Sequence, residues 1–197
     1  MNGPRICATV LCTMLTLNFS PFPKIVTERL ILREIDMGDV DALFDIRSDE
    51  RVMRYIGRSK AKEKSDSIEL IERIIRDLKE NTSISWAITL KDDPKLIGTI
   101  GYYRIKLEHH RGEVGYALHP DHWGKGLMSE ALNAVTDIGF QQFGFHSIEG
   151  VTEPRNHSSN RLLQRCGFIR EGLFKENYLW NGEFLDSTVY SKLAEKQ

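Results

Sequence analysis

Two glycines one residue apart, Gly124 and Gly126, stand between an apolar stretch, Val114 to Leu118, and a run from Leu127 to Ile138 whose apolar residues recur at helical spacing. The chemistry this arrangement suits is anion binding. Glycine has no Cβ, so the backbone can approach a phosphate closely, and the first free amides of the helix, with the positive end of its dipole, point at the charge. The cradle so defined spans Trp123, Gly124, Lys125, Gly126, Leu127, Met128 and Ser129. A nucleoside-triphosphate loop would put a lysine and a hydroxyl after the second glycine; Leu127 and Met128 stand there, which disfavours ATP. A dinucleotide fingerprint would need a third glycine where Ser129 stands, although Glu149 lies roughly 20 residues further on, as that motif asks. A tight strand-to-helix turn without a ligand also accounts for a lone glycine pair.

A second segment narrows the choice. Thr152-Glu-Pro-Arg-Asn-His-Ser-Ser-Asn-Arg-Leu-Leu-Gln-Arg-Cys-Gly-Phe168 follows the helix after one short strand. Together with the glycine loop, the opening Thr27-Glu-Arg-Leu-Ile-Leu-Arg33 and the Asn181-Gly182 turn, it resembles the GNAT superfamily of N-acetyltransferases. Within that superfamily it is most similar to the RimJ/RimL-like enzymes that acetylate the N-terminal amine of ribosomal proteins. The resemblance runs from about Ile25 to Leu193. It departs at Trp123, where the family's loop has Gln or Arg, at Met128, where it has Gly or Ala, and at Leu163, where many relatives carry a tyrosine as general acid.

The resemblance implies acetyl-CoA as cosubstrate, a primary amine as acceptor, and direct attack of that amine on the thioester. The acetyl group would lie beside the amides of Ala117, Leu118 and His119, with Leu118 as oxyanion donor. Asn156 and Ser159 would meet the pantetheine region, and Ser159 would protonate the leaving thiolate in place of the missing tyrosine. Helix capping is the plain alternative for Asn156. Glu113, at the other end of the same strand and on one face with Gly115 and Ala117, is the first candidate for general base, acting through water. Pairing with Arg111 or Arg104 is the alternative for Glu113, and Glu176 is the reserve base. The acceptor read from this resemblance is a protein N-terminal α-amine. A small amine such as an aminoglycoside or polyamine, a non-catalytic acyl-CoA sensor and an NAD(P)-binding oxidoreductase stay as alternatives.

The pattern of elements is α+β: a mixed, mostly antiparallel sheet flanked by helices, with a splayed central strand carrying the pyrophosphate cradle. Strands are expected at Arg29 to Ile35, Ile84 to Leu90, Leu96 to Ile105, Glu113 to His119 and Ser147 to Thr152, with a final hairpin of Leu173 to Trp180 and Phe184 to Leu193. Helices are expected after Asp36, at Asp66 to Glu80, from Leu127 onward and at Asn156 to Arg165 before Gly167. The acceptor side is expected to begin at the helix after Asp36.

With 197 residues the chain suits one domain, read here as 22–197, with 1–21 as an appended tail or an overlong start. Arg5 and the apolar run Ile6 to Leu17 mimic a short signal peptide but are too short to span a bilayer. A net charge of -1 gives no general reason to bind nucleic acid or an anionic membrane. Three cysteines, Cys7, Cys12 and Cys166, lack metal or redox spacing and suggest reduced thiols in a cytoplasmic protein. The histidines, including His119, His122 and the pair His109-His110, have no ligand spacing, so no metal is expected. Self-association into a homodimer is left open.

Overall fold

The computed structural model describes residues 14–195. Among these residues thirteen strands and α-helices follow one another: β1 (Ile25–Val26), β2 (Leu30–Glu34), α1 (Val40–Ser48), α2 (Glu50–Met53), α3 (Lys64–Lys79), β3 (Ile84–Leu90), β4 (Gly98–Lys106), β5 (Arg111–Leu118), α4 (Leu127–Gln141), β6 (Ser147–Thr152), α5 (His157–Arg165), β7 (Ile169–Trp180) and β8 (Glu183–Leu193). The strands form one sheet in the order β1-β2-β3-β4-β5-β6-β8-β7. Every neighbouring pair is antiparallel except β5 and β6, which α4 joins as a crossover. This is the expected α+β architecture. Its topology is far from the doubly wound parallel sheet a dinucleotide-dependent oxidoreductase would use.

β3 alternates Ile84, Trp86 and Ile88 with Ser85, Ala87 and Thr89, which predicts one solvated face; instead both faces are buried. The small or hydroxylated residues are tolerated because they find partners. Ser85 Oγ donates to Tyr103 Oη at 3.1 Å and Thr89 Oγ1 to the Ile31 carbonyl at 3.1 Å. On that side α1 and α3 pack Leu43, Ile46 and Ile71 against Ala87, Leu96 and Ala117. On the other side Leu127, Ala131, Leu132 and Val135 of α4 cover Trp86, Ile100, Tyr102 and Leu118. Tyr102 Oη donates to the Val135 carbonyl at 2.8 Å, fixing α4 to the sheet. Gly139 makes this approach feasible, since a Cβ there would sit 2.3 Å from Tyr102 Oη.

Ahead of β1, Phe19 is buried against Phe143 and its amide donates to Asn81 Oδ1 at 2.8 Å. Leu15 and Leu17 pack on the same cluster, so chain before residue 22 contributes to the core. Cys166 is buried; Cys7, Cys12 and most of the signal-like run lie outside the described residues. Asn181 and Gly182 have φ of 49° and 82°, the paired left-handed turn that closes the β7–β8 hairpin. No helix among the described residues is long and apolar enough to cross a membrane.

Candidate active site

The feature that makes a site is a divergence. β5 pairs with β6 only from Arg111 to Glu113, against Ser147 to Glu149, whereas β5 continues to Leu118 and β6 to Thr152. The two strands therefore splay, and the gap between them opens toward the glycine loop. His119 N donates to the Ile97 carbonyl at 2.8 Å, which fixes the parity of the β4–β5 ladder. Alternate residues of an antiparallel strand point their amides to opposite edges. Ala117 and His119 thus spend their amides on β4, and those of Tyr116 and Leu118 face the gap. Of the three amides expected beside the thioester, Leu118 alone is free for that role, and Tyr116 joins it.

The loop after β5 carries the conformation that the glycine pair suggested. Gly124 has φ +74° and Gly126 φ +76°, and Gly126 occupies the cap position of α4 with no side-chain cap. The first intrahelical bond runs from Glu130 N to the Gly126 carbonyl, so the amides of Leu127, Met128 and Ser129 end the helix without intrahelical acceptors. Leu127 and Met128 bury their side chains, leaving only backbone toward the loop. A Cβ on Gly124 would meet nothing within 4 Å, which leaves the mouth of the cradle open to a ligand. A pyrophosphate suits this set of donors better than any side chain in the loop does.

Trp123 explains itself at this point. Its indole Nε1 donates to the Leu118 carbonyl at 2.8 Å, so the residue that replaces the family's polar one holds the end of β5 in place. Its single donor is spent there and cannot also reach a phosphate. Lys125 offers its carbonyl to Arg29 Nη1 at 2.9 Å. Arg29 in turn donates from its backbone amide at 2.8 Å and from Nε at 2.6 Å to the Glu130 carboxylate, which also accepts from the Thr27 hydroxyl. Thr27, Arg29 and Glu130 form a latch that ties the β1–β2 turn to the first turn of α4, a role nothing in their spacing announced.

Burial raises the Glu130 pKa, but the bonds from Thr27 and Arg29 outweigh it and leave the carboxyl below its ordinary value. A group depressed in this way adds stability above the unfolded carboxylate's pKa, and that contribution fades as pH falls through the lowered folded value. Glu130→Ala is expected to lower unfolding free energy by about 1–3 kcal/mol, because the Arg29 and Thr27 donors lose their acceptor. Denaturant titration near neutral pH measures the loss. The gap between wild type and variant should close in acid.

Asn156 caps α5, its Oδ1 accepting from Ser159 N at 3.2 Å, so the capping alternative is realised and only its Nδ2 is left for another partner. Leu163 lies fully buried, and a Cβ on Gly150 would press on it at 2.8 Å, so the position has become core. Ser159, one turn earlier, faces a side chain missing from the sequence reading: Tyr116, whose hydroxyl is buried without a hydrogen-bond partner. Burial pushes the Tyr116 phenol up to about 12, and the approach of Ser159 moderates that rise. An aromatic in an apolar strand reads as core, and only the third dimension brings its oxygen to α5.

The acids around the gap are all paired. Glu113 meets Arg104 Nη1 at 3.1 Å, Glu149 meets Arg111 Nη1 at 2.7 Å, and the buried Glu153, at the end of β6, meets Arg155. Glu176 lies exposed on β7 at φ +48°, where the register with β8 shifts, and its amide donates to Asp186 Oδ1 at 2.8 Å. Among the described residues no group of three or more histidines, cysteines or acids is arranged to hold a metal ion.

A family model described as "Acetyltransferase (GNAT) domain" matches residues 29–169. The chain belongs to the GNAT acetyltransferases. An uncharacterized N-acetyltransferase, YoaA of Bacillus subtilis, is 37% identical over 176 residues, covering 89% of this chain and 99% of its own. The crystal structure of a GNAT-family acetyltransferase from Bacillus anthracis superposes with a TM-score of 0.79 at 27% identity, over 87% of this chain and 98% of that one. Relatives with named substrates diverge. A spermidine N(1)-acetyltransferase of Vibrio cholerae is 26% identical over 80% of this chain and 89% of its own, and a ribosomal-protein-serine acetyltransferase of Escherichia coli is 32% identical over 54% and 59%. The GNAT membership makes this protein an acetyl-CoA-dependent N-acetyltransferase.

Proposed function

We propose that this GNAT enzyme acetylates the N-terminal α-amine of a protein, such as a ribosomal protein. The observation that carries the reading is the pairing of every carboxylate bordering the gap, Glu113, Glu149 and Glu153, with an arginine. A lysine-type amine with pKa near 10.4 is neutral about one time in a thousand at neutral pH, whereas an α-amine near 7.7–8.0 is already about a tenth or more neutral. A gap whose carboxylates are all engaged by arginines therefore suits the α-amine, which needs the least help to lose its proton.

In this scheme the amine nitrogen attacks the thioester carbon, the Leu118 amide holds the developing oxyanion, and the carbon–sulfur bond breaks with its electron pair on sulfur. Ser159 gives that sulfur a proton while the Tyr116 phenol behind it donates a hydrogen bond to the Ser159 oxygen, and the hydroxyl is restored by a proton from water, to which the proton taken from nitrogen is finally released. The nitrogen's proton passes through water along Gly115 toward Glu113, which lies five residues and on the order of 16 Å along β5 from Leu118. Asn156 Nδ2 and the amides of Leu127 to Ser129 hold the remainder of the cosubstrate.

Amine-dependent release of coenzyme A is the test. The specificity constant for a peptide with a free N-terminus is expected to exceed those for spermidine and an aminoglycoside by tenfold or more. Small amines winning by that margin would overturn the peptide reading, and binding of acetyl-CoA without release for any amine would make the protein a sensor.

A further inference from the structure

A cavity half open to solvent lies on the α1–α3 side of the sheet, the side of Gly115 and Ala117. It has a volume of about 350 Å³ and is lined by the end of α1, the segment from Ser59 to Lys62 and the first part of α3. Four cations line it: Arg47, Lys60, Lys62 and Arg73. The one acid in the lining, Asp66, accepts from the amides of Lys62 at 2.6 Å and Glu63 at 3.2 Å, completing the capping box that begins at Glu63. Lys60 has a loose, exposed partner in Glu50 at 3.6 Å, and among the described residues Arg47, Lys62 and Arg73 form no salt bridge.

Ser67 also lines this cavity. It is 1% exposed, yet its hydroxyl has no hydrogen-bond partner. A buried hydroxyl left unsatisfied is costly and marks a place where a polar partner belongs. Arg47 feels the same deficit: burial, then the like charges of Arg58 and Arg73, push its pKa down. Arg47, half-buried and without a salt bridge, stands among three more exposed cations and beside an idle hydroxyl, an arrangement that describes a receptor for an oxyanion.

The cavity is connected to the reacting strand by one side chain. Arg47 lies within electrostatic reach of Tyr103, whose ring sits 3.0 Å from where a Cβ on Gly115 would be. The cavity and the reacting strand therefore share one side of the sheet.

We propose that this cavity binds an anionic group of the acceptor, a carboxylate or phosphate, so that the enzyme selects amines carrying negative charge and rejects polycations. The inference rests on the acetyltransferase reading and names the substrate class within it. A spermidine-like acceptor would bring positive charge to a lining that already carries a net excess of it.

The test uses the full chain saturated with coenzyme A, so that the pyrophosphate cradle is filled, and inorganic phosphate as the probe. Phosphate is expected to raise the melting temperature saturably, and Arg47→Gln or the more exposed Arg73→Gln should remove that rise. Ser67→Ala should move the two readouts in opposite directions: a higher melting temperature without phosphate, because an unsatisfied hydroxyl is gone, and a smaller rise with it. Acceptor assays separate the sources of the anion. Phosphoethanolamine, a peptide beginning Ser-Asp-Glu and spermidine are compared as amines, and Arg73→Gln is expected to raise KM tenfold or more for whichever anionic acceptor wild type prefers, leaving KM for acetyl-CoA unchanged. No phosphate-dependent stabilisation, or a preference for spermidine, overturns the proposal. Failure of coenzyme A itself to stabilise the protein is the different result that would overturn the acetyltransferase reading.

Discussion

Gly126→Glu is expected to abolish stabilisation of the protein by coenzyme A and acetyl-CoA while the chain still folds. Gly126 has φ +76°, a conformation that costs an L-residue about 1–2 kcal/mol, and a Cβ there would meet only the end of the flexible Arg29 side chain, at 3.5 Å. Folding should survive that penalty. The cradle should not, because a carboxylate would stand among the amides of Leu127 to Ser129 where two phosphates must enter. In wild type, a CoA compound at 100 times its dissociation constant adds about 2.7 kcal/mol to the folded state, readily seen as a rise in melting temperature. NAD and ATP at equal concentration should add little. A variant that kept the full shift would mean that the pyrophosphate lies elsewhere and that the helix end is merely a tight turn. Measuring the variant's own denaturant stability alongside separates loss of the cradle from loss of the fold.

That the glycine loop and the uncapped helix behind it are legible in the sequence reflects how local their physics is. Two glycines, an apolar strand ahead and an amphipathic helix behind define the geometry within about twenty consecutive residues, and the observed φ values and uncapped helix end follow from them. The expected elements were legible for the same reason, since periodicities of two and 3.6 are carried by neighbours in sequence. What stayed hidden depends on partners far along the chain. The latch joins Arg29 to Glu130 across 101 residues, and neither residue differs in type from an ordinary surface charge. β1, with two residues, is too short to show a period. The division of amides between Ala117, Leu118 and His119 depends on the ladder parity with β4, which sequence alternation cannot assign because both parities give the same pattern of side chains. Trp123 departs from the family's Gln or Arg, and only its bond to the Leu118 carbonyl reveals what it does instead. The cationic cavity draws Arg47, Lys60, Lys62 and Arg73 from two helices and the segment between them, a cluster that reads along the chain as scattered solvated charge.

The same long-range packing puts the Tyr116 hydroxyl against α5, and Tyr116→Phe should therefore cost turnover without costing stability. Its oxygen is buried and has no hydrogen-bond partner, so deleting it removes an unsatisfied group, and the melting temperature should hold or rise. A residue that mattered only for packing would behave in the opposite way. If the phenol supports Ser159 as the leaving sulfur takes its proton, the variant loses one hydrogen bond to a charged transition state, about 1.5–3 kcal/mol, or roughly 10- to 100-fold in kcat with KM for acetyl-CoA little changed. Ser159→Ala should lose at least as much, and the double variant no more than Ser159→Ala alone, because the two groups act in series. The pH dependence carries a further sign. With its pKa pushed up to about 12, Tyr116 stays protonated through the working range, so it imposes no falling limb on kcat below about pH 11. Rate should climb only as the acceptor amine loses its proton near pH 8. Because burial makes ionising this phenol harder in the folded protein than in the unfolded chain, the fold loses stability as pH rises from about 10 toward 12, and Tyr116→Phe should blunt alkaline unfolding over that window. Unchanged kcat in Tyr116→Phe would return the residue to the core and leave Ser159 to act alone.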